Sequence, residues 1–96
     1  FADWQCLAHL AVERLPSFGA VSGIPKGGDP FAAALLFYVS SGPLLLVDDV
    51  LTTGGSMTAA RLNHPDALGV VAFARGKCPT WITPIFTLTD ALSHTS

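Results

Sequence analysis

The chain has 96 residues, half of them hydrophobic and only 12% charged, with a mean hydropathy of +0.50, which excludes a disordered segment and fits one small domain over residues 1–96. The net charge of −2 and pI near 5.8 leave no basic face, so nucleic acid is excluded as a partner. No run of about 18 apolar residues is present, which excludes a membrane-spanning helix.

Residues 3–15 carry Trp4, Leu7, Ala8, Ala11, Val12 and Leu15 at helical spacing, with Asp3 as N-cap and Pro16 as the stop. Residues 18–24 read as a strand that ends in Gly23-Ile24-Pro25-Lys26-Gly27-Gly28. Asp29-Pro30 opens a second helix, which runs to about Ser40 and is apolar nearly all round, so it is expected to be buried on more than one face. Gly42-Pro43 ends it. Residues 44–50 form a continuous apolar run broken only by two aspartates, the pattern of a parallel strand covered on both faces. A short helix follows over 55–62, a third buried strand over 68–74, and a final strand over 81–88. Pro84 cannot donate to a ladder and so marks that last strand as an edge. The tail beyond is polar.

This order predicts an α/β fold: a small three-layer Rossmann-like parallel sheet of about four strands flanked by helices, joined by right-handed crossovers. Sites in such sheets form beyond the carboxyl ends of the strands, where both glycine loops, the two acids and the 75–77 loop all fall. Cys6 and Cys78 lack CxxC or CxxH spacing and read as reduced thiols rather than zinc ligands. With no basic signal-type start, they point to the cytoplasm. His9, His64 and His94 have no visible partner for acid–base work.

The chemistry-bearing stretch is Leu44-Leu45-Leu46-Val47-Asp48-Asp49-Val50-Leu51-Thr52-Thr53-Gly54-Gly55-Ser56. A turn of small residues at a helix N-terminus can direct several N–H groups at one phosphate. Two adjacent carboxylates at the end of a buried strand need hydrogen-bond donors, and the cis-diol of a ribose supplies them. An ordinary strand-to-helix turn explains the glycines but not the paired acids.

The stretch resembles the phosphoribosyl-pyrophosphate motif of the type I phosphoribosyltransferases, with a slight preference for the orotate-type members, to which the 88–91 ending is also similar. The resemblance implies that Asp48 and Asp49 bind the ribose hydroxyls and that Thr52, Thr53, Gly54, Gly55 and Ser56 bind the 5′-phosphate. It implies that Lys26, Gly27 and Gly28 form the pyrophosphate loop, although Lys26 also reads as a solvated surface lysine. Asp48, Asp49 and Lys26 are then the catalytic candidates. Arg75 and Lys77 are either pyrophosphate or base contacts or plain loop cations, and Trp81 either stacks on the base or packs in the interior. The implied cofactor is Mg²⁺ bound with the sugar pyrophosphate, with no direct protein ligands assigned. The implied partners are 5-phosphoribosyl-1-pyrophosphate and a purine or pyrimidine nucleobase, as in nucleotide salvage.

The chain departs from the family in two places. Only Ser40-Ser41-Gly42-Pro43 separates the second helix from the motif strand, where the family carries further strands and a flexible closing loop. No hood for base recognition is discernible. The expected sheet order is 1-2-3-4 with a bare first edge, both internal helices on one face and the first helix on the other. The bare edge and the greasy composition point to a homodimer. Three readings stay open: a minimal phosphoribosyltransferase, a non-catalytic module that binds the same ligand, and, given a start at Phe1 without Met, a fragment that needs further chain to fold.

Overall fold

The computed structural model describes residues 3–24, 29–51 and 55–87. Four strands, β1 (Ala20–Gly23), β2 (Leu44–Leu51), β3 (Leu68–Ala74) and β4 (Ile82–Thr87), form one parallel sheet in the order β1-β2-β3-β4. Three helices, α1 (Trp4–Arg14), α2 (Asp29–Leu35) and α3 (Gly55–Leu62), flank it. The α/β fold, the parallel sheet and its order match the sequence expectation. No helix among the described residues is long and apolar enough to cross a membrane.

The local chemistry sets the boundaries. Asp3 caps α1, its Oδ1 accepting from the Cys6 N–H at 3.1 Å. At the other end Arg14 clamps α1 to β4 by donating to the carbonyls of Pro84 (3.3 Å) and Ile85 (2.9 Å). Pro84 sits within edge strand β4, opposite Val71, where its missing N–H costs no ladder bond. β1 is shorter than the sequence suggests. Phe18 and Gly19 lie outside it but still bond across, Ser40 donating to the Phe18 carbonyl (2.9 Å) and Gly19 to that of Pro43 (3.0 Å).

Apolar side chains alternate along the strands and build two cores. Leu45, Val47, Val70, Ala72 and Ile85 face α1 and α2, meeting Leu7, Ala8, Ala11, Phe31 and Leu35. Leu46, Val71 and Ile82 face α3 and meet Met57. Trp4 and Phe31 join the first two helices with ring centroids 5.3 Å apart.

Two expectations need correction here. The second helix does not reach Ser40: α2 stops at Leu35 and tightens into a 3₁₀ turn, Leu36–Tyr38. Nor is its apolar circumference wholly covered. Phe31, Ala32, Ala34 and Leu35 are buried, whereas Leu36 and Phe37 stand 59% and 79% exposed, because only α1 and the sheet are there to cover it.

The layering is the second correction. α1 and α2 share one face and α3 holds the other, so the two internal helices lie on opposite faces. In a sheet that advances steadily from β1 to β4, crossovers of one hand must all pass over one face. The β2–α3–β3 crossover and the helix-free return from β3 to β4 pass over the same face, Cys78 and Trp81 of that return packing on the α3-side core. The β1–α2–β2 crossover therefore has the opposite hand. What holds α2 on that face is its seam with α1, through Trp4 and Phe31.

The short return from the 3₁₀ turn to β2 depends on Gly42. Its φ is +132°, and a Cβ there would lie 2.5 Å from the Ser17 carbonyl oxygen. Gly42→Ala is expected to cost about 2–5 kcal/mol, from backbone strain plus overpacking. Gly76→Ala, where a Cβ meets nothing within 4 Å, should stay within about 1 kcal/mol of the parent. Urea denaturation of the two variants checks this; equal midpoints would rule out the close approach at Gly42.

Candidate functional site at the carboxyl rim of the sheet

β2 outlasts its neighbour. The β1–β2 ladder ends at the Gly23–Val47 pair, with one more bond from the Ile24 N–H to the Val47 carbonyl at 2.7 Å. β2 then continues through Asp48, Asp49 and Val50 to Leu51, paired only with β3. The two acids thus fall where β1 leaves the sheet and one side of β2 opens. A buried strand can end in carboxylates only at such a place, where solvent or a ligand can reach them.

Strict alternation would send Asp48 to the α3 side with Leu46 and Asp49 to the opposite side with Val47. Yet Leu51, an odd number of positions beyond Leu46, also joins the α3-side core. The alternation slips by one between them, and the two neighbouring carboxyls lie close enough to act on one another. Both are half-buried. Each also folds onto the main chain: the Asp49 N–H donates to Asp48 Oδ1 and the Val50 N–H to Asp49 Oδ1, both at 2.8 Å.

Asp48 is raised to about 6 from the ordinary 3.8. Burial is the chief cause, since its register partner Val71 is fully buried in the α3-side core. The hydrogen bond shared with the Asp49 side chain and the repulsion of that carboxylate push the same way, against the backbone N–H of Asp49, which favours the charged form. The pair therefore takes up one proton near pH 6.

Three connections leave this rim. β1 leaves through Ile24, β2 through Leu51 and β3 through Ala74, and the Arg75 N–H donates to the Leu51 carbonyl at 3.1 Å, which locks the start of the third to the end of the second. Arg75 and Lys77 are exposed there. Gly55 and Ser56 open α3. Lys26, Gly27, Gly28, Thr52, Thr53 and Gly54 lie outside the described residues, between anchors at this rim.

Trp81 is not brought to the acids. Its carbonyl accepts from the Gly69 N–H at 2.8 Å, at the amino end of β3. It therefore lies about 10 Å back along the strands and two strand spacings, about 10 Å, across from Asp48. The ring packs on the α3-side core beneath the Arg61 guanidinium, 4.6 Å from the ring centroid. Arg61 escapes a reading of the sequence because, as a lone cation in a last helical turn, it looks like dipole compensation. Among the described residues no group of three His, Cys, Asp or Glu side chains could hold a metal ion. Asp48 and Asp49 are hard oxygen donors of the type Mg²⁺ accepts while keeping waters and substrate oxygens as its other ligands.

The raised Asp48 carries a sign. Its folded value lies above its unfolded one, so its contribution to stability is fully present below pH 4 and is lost as pH rises through about 6. Asp48→Asn should flatten that slope and melt higher than the parent at pH 8, as thermal scans at pH 4, 6 and 8 would read; an unchanged slope removes Asp48 as the titrating group. A scan against protein-family models finds no match to this chain, and a search of curated proteins finds none, so the functional reading rests on this geometry and the motif alone.

Proposed function

We propose that the rim binds 5-phosphoribosyl-1-pyrophosphate and that the chain is a minimal phosphoribosyltransferase. A nucleobase nitrogen attacks ribose C1, the C1–O bond breaks, pyrophosphate leaves with the bond's electron pair, and the base loses its proton to solvent. The observation that carries the reading is the placement of two adjacent half-buried carboxyls on β2 just where β1 departs. Carboxylates so placed accept hydrogen bonds from the two hydroxyls of a ribose. The small-residue turn 52–56 grips the 5′-phosphate through N–H groups, and Lys26 with Gly27 and Gly28 meets the pyrophosphate. Arg75 stands at the same rim to add positive charge as the leaving group develops its own. Mg²⁺ carried in with the sugar pyrophosphate would supply charge neutralisation, with Asp48 and Asp49 holding the ribose hydroxyls.

One observation favours a second reading, a non-catalytic module that binds the same ligand. Between the 3₁₀ turn and β2 only residues 39–43 intervene, and they are tied down by the Ser40 N–H donating to the Phe18 carbonyl and the Pro43 carbonyl accepting from Gly19. That connection has no length to close over a ligand and exclude water. A second copy that covers the rim restores the exclusion, and the bare β1 edge with exposed Leu36, Phe37 and Val39 beside it is the surface for such a homodimer. Both Cys6 and Cys78 are free thiols, in keeping with a cytoplasmic setting.

The test of binding is calorimetric titration with phosphoribosyl pyrophosphate and Mg²⁺. Asp48→Asn combined with Asp49→Asn should abolish the heat while circular dichroism stays unchanged; normal binding by the double variant refutes the ribose assignment. Pyrophosphate release across a panel of bases then separates enzyme from module. The pH dependence is a further check. The hydroxyls donate to ionised carboxylates, so the ligand must displace the proton held near pH 6. Affinity should fall about tenfold per pH unit below 6. Binding at pH 6 should also release a proton, visible as a dependence of the heat on the buffer's ionisation enthalpy. A flat profile from pH 5 to 7 would contradict the role of Asp48.

A further inference from the structure

A second cleft opens at the opposite end of the sheet. About 290 Å³ in volume, it is lined by Thr58, Arg61, Leu62, Pro65 and Trp81. The last turn of α3, the loop that follows it and the residue before β4 build its walls. Leu62 is 79% exposed here, an apolar side chain that nothing covers.

Arg61 is fixed in this cleft from two sides. Its Nε donates to the Ala67 carbonyl at 3.2 Å, and its guanidinium lies over the Trp81 ring at 4.6 Å. Trp81 is held in turn: its ring edge fits against Gly69, where even a Cβ would come within 2.9 Å of it. Among the described residues no carboxylate lies within ion-pair distance of Arg61, and its terminal nitrogens have no hydrogen-bond partner. The helix-end carbonyls that would compete for an anion's place are already engaged, Ala60 by the Asn63 N–H and Arg61 by the His64 N–H. The chain is acidic overall, yet among the described residues this cation has no counter-charge within ion-pair distance, and it is oriented and set among apolar walls.

We infer that this cleft binds a small carboxylate carried on an apolar ring or chain. The two outward N–H groups of a guanidinium match a carboxylate's two oxygens, and the Nε tether with the Trp81 stack has already fixed their direction. Leu62, Pro65 and Trp81 supply contact for the apolar part and Thr58 one hydroxyl. A bare inorganic anion uses only the first of these features. The site is separate from the carboxyl rim and does not depend on what the rim binds.

Trp81 is a built-in reporter. The only other tryptophan is Trp4, on the opposite face, so a Trp4→Phe background isolates the signal. Phenylacetate should change the Trp81 fluorescence saturably, with a Kd on the order of 1 mM for a ligand of this size. Phenylacetamide, which lacks the charge, and inorganic phosphate, which lacks the ring, should each bind at least about tenfold more weakly, and Arg61→Gln should weaken phenylacetate to the same degree. Calorimetry on the chain with Trp4 intact repeats the comparison. No saturable response to phenylacetate, equal affinity in the Arg61→Gln variant, or phosphate binding as tightly as phenylacetate overturns the inference.

Discussion

Everything in this fold hangs on β2 being buried from both sides. Leu45 and Val47 press into the layer made by α1 and α2, and Leu46 into the layer made by α3, all three within 2% of full burial. A strand so enclosed has no tolerance for charge along its length. It tolerates Asp48 and Asp49 only because β1 ends four residues earlier than β2 and exposes one flank. The length difference between two neighbouring strands is thus the device that turns a structural core into a chemical site. The same enclosure sets the electrostatics, because the apolar surface around Val71 makes ionisation of Asp48 unfavourable.

The connection at α2, opposite in hand to the one through α3, bears on how the site is completed. A crossover of the same hand as that through α3, leaving β1 with its helix on the α2 face, would deliver the chain to the far side of β1, not to β2. The helix therefore lies where it would serve a strand at the vacant edge, while the chain turns back through the Gly42 pinch instead. Doubly wound sheets change direction beside their ligand sites, with helices on opposite faces on either side of the switch. The opposed placement of α2 and α3 about β1 and β2 preserves that feature, although among the described residues no strand lies beyond β1. Among the described residues the β1 edge, exposed Leu36 and Phe37 and the reversed hand occur together at one place, the surface on which the proposed homodimer rests.

Much of this was legible in the sequence, for identifiable reasons. Continuous apolarity over 44–47 and 68–74 signals strands covered twice, and that alone yields a parallel sheet. Pro84 marks the β4 edge because a missing N–H is tolerable nowhere else. The layering was not legible, since crossover hand is a property of assembly and α2 follows its Trp4–Phe31 seam rather than the general rule. The end of α2 was missed because apolar residues at 36, 37 and 39 imitate a buried helix when they are in fact uncovered. At the site, the paired acids announced themselves by breaking a hydrophobic run. Trp81 was misleading for a simpler reason: sequence shows that a flat ring lies near a loop, but not at which end of a parallel sheet that loop finishes. The return from β3 to β4 carries it to the amino end.

The raised Asp48 connects the fold to its proposed use. A carboxyl held half-neutral near pH 6 burdens the folded chain at neutral pH, and nothing in the packing gains from it. An asparagine at 48 would offer the same shape, accept the same Asp49 N–H and carry a much smaller desolvation cost than an ionised carboxylate. Selection for stability alone would favour it. What asparagine cannot do is accept from two donors with full anionic strength. On the proposed reading, the burden is a charge kept ready for a ligand rich in hydroxyl donors. Such a ligand relieves the penalty on binding by supplying the hydrogen bonds that the apolar surroundings withhold.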